Sequence, residues 1–255
     1  MRLVRVFSTM VLIMILLSSS YADDYALWEL PEGAKFRLGK GKISDVERRS
    51  SFQFSPDGKE FLVFTSIGIW VYDAYTGKEL RLLTCSMEAD QNRIVISPDG
   101  QIVASPTDKW DDPVIQLWDF KTGQLQTTLQ GHTKRITSLD FSGNSKMLVS
   151  GDFDGVMKIW NISTGQHRHI QTPHSIVSRL QFSPNGQTIL SSRNGNFKLW
   201  DVDTGAINSD LNGTDRIRKI DYSPDGELLF GTNEWWIRLW DAKTGSVKMT
   251  FKVPA

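Results

Sequence analysis

The 255-residue chain has one cysteine, Cys85. No disulfide can close within it, and the fold must rest on packing. It has no surplus of either charge, since 29 basic and 29 acidic residues cancel. No Lys/Arg block stands out, which argues against a surface that tracks phosphates, so no nucleic-acid partner is expected. The patterns of a nucleophile elbow, a phosphate loop, a zinc-protease helix and a paired-carboxylate site are missing, and no catalytic residue is expected. Three of the four histidines fall in "HRHIQTPH", where His167 and His169 share one side of a strand by period 2. No cysteine or carboxylate joins them at ligand spacing, so neither a metal nor another cofactor is expected.

Long apolar runs are scarce too. The run "FSTMVLIMILL" follows Arg2 and Arg5 and precedes the small-residue site Ser20-Tyr21-Ala22. It is about half of the ~20 residues that cross a bilayer. It predicts a signal peptide over residues 1–22, cut after Ala22, with no stable membrane anchor and a secreted or periplasmic domain over residues 23–255. Asn161 and Asn212 fit the glycan acceptor pattern, which has meaning only in a host that glycosylates there.

What the sequence has is a period. The segments "IWVYDAYTGKEL", "IQLWDFKTGQL", "MKIWNISTGQH", "FKLWDVDTGAI" and "IRLWDAKTGSV" place an aromatic at Tyr72, Trp118, Trp160, Trp200 and Trp240, in steps of 46, 42, 40 and 40 residues. A second signature keeps the same phase: "FSPDG" from Phe54, "ISPDG" from Ile96, "FSGNS" from Phe141, "FSPNG" from Phe182 and "YSPDG" from Tyr222. Ser-Pro-Asp-Gly suits a type I turn, with Pro at the second position and Gly at the fourth, and should close a hairpin. The β-branched stretch after it and the alternating stretch ending in Trp-Asp read as strands, and Thr-Gly turns the chain into another. Four strands in about 40 residues make one blade of a β-propeller.

The five in-phase copies resemble the tryptophan-aspartate (WD) repeat family over nearly all of residues 24–255, in a secreted, bacterial-type form. That resemblance implies a buried hydrogen-bond set in each repeat: a His in the loop before the blade, a Ser or Thr in the second strand, an Asp in the following turn, and the Trp. The third repeat supplies His132, Ser150, Asp154 and Trp160. The fourth supplies His174, Ser191, Trp200 and, in the Asp place, Asn194. The second lacks the His and carries the insertion "PTDKWDDP"; the fifth lacks the His and an evident turn Asp. Trp28, Tyr72-Asp73, Trp118-Asp119 and Trp240-Asp241 complete the blade signature.

The expected fold is all-β, a β-propeller of four-stranded antiparallel blades, with five complete repeats plus an N-terminal two-strand partial blade around Trp28. This count does not close a ring. Truncation of a seven-bladed propeller is the favoured account, beside an open arc that forms a homodimer through unclosed blade edges.

The family resemblance also implies that turns from second to third strands lie on the face that receives partners. Aromatics out of register with the repeat fall there: Trp110 with Asp111 and Asp112, and Trp235 with Glu234. They are the expected interaction residues, against the alternative that the rings fill gaps between blades. The expected function is a non-catalytic, exported protein-binding scaffold; the alternative is an exported propeller binding a small molecule or carbohydrate, with or without hydrolytic activity.

Overall fold

The structure is a computed structural model that describes residues 52–65, 68–83, 94–107, 109–211, 217, 219–233 and 235–252. The expected signal peptide, the partial blade around Trp28, Cys85, Asn212 and Glu234 lie outside these residues. Among the described residues there are strands and turns but no α-helix, and so no helix that could cross a membrane.

Among these residues twenty strands form five four-stranded antiparallel sheets, each made of four strands consecutive in sequence. The first sheet holds β1 (Phe52–Phe54), β2 (Glu60–Thr65), β3 (Gly68–Asp73) and β4 (Glu79–Leu83). The second holds β5 (Val95–Ile96), β6 (Ile102–Pro106), β7 (Ile115–Asp119) and β8 (Leu125–Leu129). The third holds β9 (Ile136–Phe141), β10 (Met147–Asp152), β11 (Val156–Asn161) and β12 (His167–Gln171). β13 (Arg179–Phe182), β14 (Thr188–Arg193), β15 (Asn196–Asp201) and β16 (Ile207–Asp210) form the fourth, and β17 (Lys219–Tyr222), β18 (Leu228–Thr232), β19 (Trp236–Asp241) and β20 (Val247–Lys252) the fifth. The first sheet, with the turn at 120–124, clusters as one compact body, and the other four sheets as a second.

The repeated turn explains why each unit starts alike. In all five copies the backbone N–H of the fourth turn residue donates to the carbonyl of the first, at 2.8–2.9 Å. The first-position serine hydroxyl (Ser55, Ser97, Ser142, Ser183, Ser223) donates to the Asp or Asn two residues on, at 2.5–2.8 Å. The fourth position needs positive φ, which Gly supplies in four copies; Ser145 takes it in the third, with φ 59°.

In the second body the tryptophans sit between sheets. Trp160 packs with Ala104, Ile115 and Leu117 of the second sheet, Trp200 with Val149, Met157 and Ile159 of the third, and Trp240 with Leu190, Phe197 and Leu199 of the fourth. Fully burying such a ring is worth about 2–3 kcal/mol by area. On the fifth sheet the corresponding positions are less covered. Phe230 and Phe251 are exposed, Ile237 and Leu239 half-buried, and every residue of β20 faces solvent.

Inner strands are also tied to their neighbours by side chains. Ser138 accepts from Leu180 N–H at 2.9 Å and Asp140 Oδ2 from Phe182 N–H at 2.7 Å. Burial pushes the Asp140 carboxyl up to about 7, against the lowering effect of the Phe182 and Phe141 N–H groups and of Arg179. The folded chain therefore holds a proton here that the unfolded chain has released, and stability falls as pH rises from about 4 to about 7, then levels. Because Asp140 keeps part of its surface in solvent, the expected loss is on the order of 1–2 kcal/mol. The carboxylates of Asp73, Asp201 and Asp241 act oppositely. Backbone N–H donors hold them below the usual range, Asp241 at about 2, so their contribution is lost only as pH falls below about 4. In denaturant unfolding at a series of pH values, the stability of the parent relative to Asp140→Asn, which keeps an acceptor for Phe182, should decline from about pH 4 to 7; the difference separates Asp140 from the buried histidines, whose lowered pKa values act in the opposite sense. An unchanged slope in that variant would refute the assignment.

Candidate functional site

A buried chain of hydrogen bonds runs through the third repeat. Trp160 Nε1–H donates to Ser150 Oγ at 2.7 Å, Ser150 Oγ lies 2.6 Å from His132 Nε2, and His132 Nδ1 lies 2.7 Å from Asp152 Oδ2. Burial holds the His132 imidazole below its ordinary pKa although Asp152 opposes this, so the ring is neutral near pH 7. Its one proton belongs on Nδ1, facing the carboxylate, and Nε2 accepts from the serine. Every bond then points the same way: Trp to Ser, Ser to His, His to Asp.

The acidic member of this set is Asp152, where the sequence reading placed Asp154. Asp152 ends β10 two residues after Ser150, and alternation puts the two on one face. A register shift between Gly151 and Asp152 coincides with the end of the strand. Asp152 Oδ1 also accepts from the N–H groups of Asp154 and Val156 at 3.0 and 2.9 Å, closing the turn beneath it. Asp154 lies in that turn, exposed, and its carbonyl accepts from Gln171.

The fourth repeat begins the same way. Trp200 Nε1–H donates to Ser191 Oγ at 2.8 Å, and Ser191 Oγ lies 3.1 Å from His174 Nε2. Asn194 does not join it. The β14–β15 connection is a two-residue turn with Asn194 at φ 48° and Gly195 at φ 82°, both left-handed, which is the conformation Asn-Gly favours in hairpins. Two residues after the serine stands Arg193.

Two parts escaped the sequence reading. In the second repeat Trp118 Nε1–H donates to Ser105 Oγ at 3.0 Å; the insertion puts this pair 13 residues apart, against 10 and 9 in the next two repeats, which hid it. In the fifth, Asn233 Oδ1 accepts from Trp235 and Trp236 N–H at 2.9 and 2.8 Å, the turn-closing bonds Asp152 makes, while Gly231 replaces the serine. A Ser-to-Trp count that allows insertions, and Asn admitted in place of Asp, would have found both.

The residue after each Trp or Tyr caps the next turn. Asp73, Asp201 and Asp241 each accept from the Thr backbone N–H and hydroxyl three residues on, at 2.7–3.0 Å. Asn161 does the same with Ser163 and the Thr164 N–H. Asp119, at the corresponding place, accepts from the Gln126 amide at 3.3 Å. Tyr72 is buried in the first sheet against Phe61 and Trp70. His167 lies against Trp160, ring centroids 4.4 Å apart, with Lys158 Nζ 2.8 Å from its Nε2. Among the described residues no group of three or more His, Cys, Asp or Glu could hold a metal ion.

Trp110 is 52% exposed and leans on Phe153, centroids 4.9 Å apart. Its neighbour Asp111 is bridged to Lys134 by an ion pair and a short β-bridge, and Asp112 turns the chain at φ 48°. Trp235 is 51% exposed, its backbone fixed by Asn233. The two aromatics occupy second-to-third strand turns of the second and fifth repeats, and no ring contact joins them among the described residues.

Residues 123–161, 165–201 and 206–241 match the family model described as WD domain, G-beta repeat. The chain is 31% identical over 114 residues to the Periodic tryptophan protein 2 homolog of Schizosaccharomyces pombe, covering 44% of this chain and 13% of that protein. It is 26% identical over 177 residues to the homolog of that name from Caenorhabditis elegans, covering 62% and 19%. Eukaryotic translation initiation factor 3 subunit I of Emericella nidulans is 28% identical over 110 residues, covering 43% and 32%. The chain thus spans about a third or less of these relatives' length. Likeness to 229 curated proteins speaks for the repeat rather than for one task. The relatives overturn the expectation of a bacterial-type, secreted or periplasmic protein. They are eukaryotic, and a translation initiation factor works inside the cell. The apolar run and small-residue site that suggested export are a short compositional pattern, which does not by itself establish transport. Over three consecutive copies, residues 123–161, 165–201 and 206–241, the chain is thus similar to the WD-repeat family, and those copies fall on its four-stranded sheets.

Proposed function

We propose that the chain is a non-catalytic module that binds another protein through the turns joining second and third strands. The observation that carries this reading is Trp110: half its surface is wet, yet Phe153 props the ring and the Asp111–Lys134 pair braces its backbone. An exposed aromatic held at low entropic cost is the usual anchor of a protein interface. Trp235 offers a second anchor, with Asp112 and Glu234 as polar neighbours at the two sites. That one relative is by name a subunit of a larger factor supports the same reading.

Replacing Trp110 and Trp235 together by Ala is expected to weaken partner capture at least 10-fold, since interface tryptophans commonly contribute about 2 kcal/mol or more each. The variant's melting should stay within about 0.5 kcal/mol of the parent per site, because neither ring is buried. Quantitative pull-down of proteins from the source cell, parent against variant, tests this. Undiminished recovery of every partner would end the proposal.

A further inference from the structure

The face of the fourth sheet that receives Trp240 is built from the residues one and three places before Trp200, Leu199 and Phe197, with Leu190 from β14. The fifth sheet repeats that face. The residues one and three places before Trp240 are Leu239 and Ile237, and Phe230 of β18 pairs with Leu239 as Leu190 pairs with Leu199. Met249 pairs with Leu239 and Phe251 with Ile237, which extends the two rows onto β20. Strand alternation sets Leu229 and Trp240 on the opposite side, where they pack on the fourth sheet. Among the described residues none of the five on the outer side joins a buried cluster, and Phe230, Met249 and Phe251 are 46–52% exposed.

Two properties choose the occupant. The first is charge. The rows Phe230, Leu239, Met249 and Thr232, Ile237, Phe251 hold no charged residue, and alternation puts Arg238 and Lys252 on the other side. The carboxylates at the rim are engaged within the chain, Asp221 by Arg179 and Asp241 by Lys248. A two-fold contact brings each group near its own copy, so a face without uncompensated charge suits one. The second property is size. At half exposure each of the three large side chains contributes ~100 Å², and with the half-buried pair the patch comes to about 400 Å². Homodimer interfaces are about two-thirds apolar, so such a patch is the centre of a contact of about 600 Å² per partner, the lower end of what holds a specific pair.

The outer edge of β20 suits the same task poorly. Antiparallel pairing of two copies about Thr250 would set Lys248 of one opposite Lys252 of the other, and like charges opposed across strands are destabilising.

We propose that two copies of the chain associate through the outer faces of their fifth sheets, each covering Phe230, Leu239 and Met249 of the other about a two-fold axis. The exposed rows then receive from a second copy the cover that Trp240 gives the fourth sheet. With so small an area the pair forms at roughly 10 µM. The contact stands independently of the partner surfaces at Trp110 and Trp235.

Light scattering behind size exclusion tests this on the full chain, loaded at a series of concentrations on either side of that value. The parent should pass from the mass of one chain to that of two. Met249→Lys places a charge in the contact twice and should weaken pairing about 100-fold, leaving single chains over the same range. Its melt, where the parent is also single, should match the parent's, because Met249 lies on the surface. Phe251→Lys, two places along the same face, repeats the test should Met249→Lys melt early. Lys252→Glu, on the other side of β20, should leave pairing unchanged. A parent that stays single or grows past two chains overturns the proposal, as does pairing that survives both lysine variants. Pairing tightened by Lys252→Glu would assign the contact to the strand edge instead. A single parent whose melt falls in both lysine variants would give the face to another part of the same chain.

Discussion

Asp152→Ala is expected to lower stability by about 3–5 kcal/mol, while Asp154→Ala should cost less than about 1 kcal/mol. The Asp152 side chain is 1% exposed and accepts three hydrogen bonds, from His132 Nδ1–H and from the N–H groups of Asp154 and Val156. Alanine leaves those donors in a place where water cannot easily replace the carboxylate, and each buried donor left unsatisfied costs about 1–3 kcal/mol. Asp154 offers the turn only its backbone, which alanine keeps. Urea denaturation of the two variants beside the parent decides the matter. Equal losses would show that the acidic member of the network had been misassigned.

Gly155→Ala should be comparably damaging, on the order of 3 kcal/mol or more. Gly155 sits at φ 77°, and a Cβ built there would lie 1.8 Å from the His174 carbonyl oxygen. The Gly155 carbonyl also accepts from the N–H and hydroxyl of Thr172 at 2.9 and 2.7 Å, and Thr172 Oγ1 accepts from His174 N–H at 3.2 Å. The turn of the third repeat is thus the bed on which the loop carrying His174 rests. Alanine must push that loop away, so the lost stability should be accompanied by a weaker His174–Ser191 bond in the next repeat. Chemical denaturation measures the first effect and the His174 nitrogen resonances the second. A Gly155→Ala variant as stable as the parent would mean that the approach is much looser than drawn.

Much of the fold was legible because each blade repeats its own punctuation. The serine turns and the Trp-Asp-x-x-Thr-Gly caps are local structures whose bonds span two to five residues, and the five sheets follow from their spacing. The candidate site was legible only in part, because its members come from three separated segments whose register had to be guessed. Choosing Asp154 over Asp152 ignored the alternation that places residues 150 and 152 on one face. Choosing Asn194 mistook a hairpin turn residue for a network member. Ser105 was hidden by three inserted residues, and Asn233 by the habit of seeking an acid where an amide oxygen accepts equally well.

The one-way order of donors in the third repeat makes the protein its own reporter. The proton on His132 Nδ1 is shut away from solvent in a short bond to a carboxylate. Such a proton is deshielded and exchanges slowly, so it should give a separate downfield line that survives in water and vanishes when the third repeat opens. Its decay in deuterium oxide would time the opening of one blade without any label.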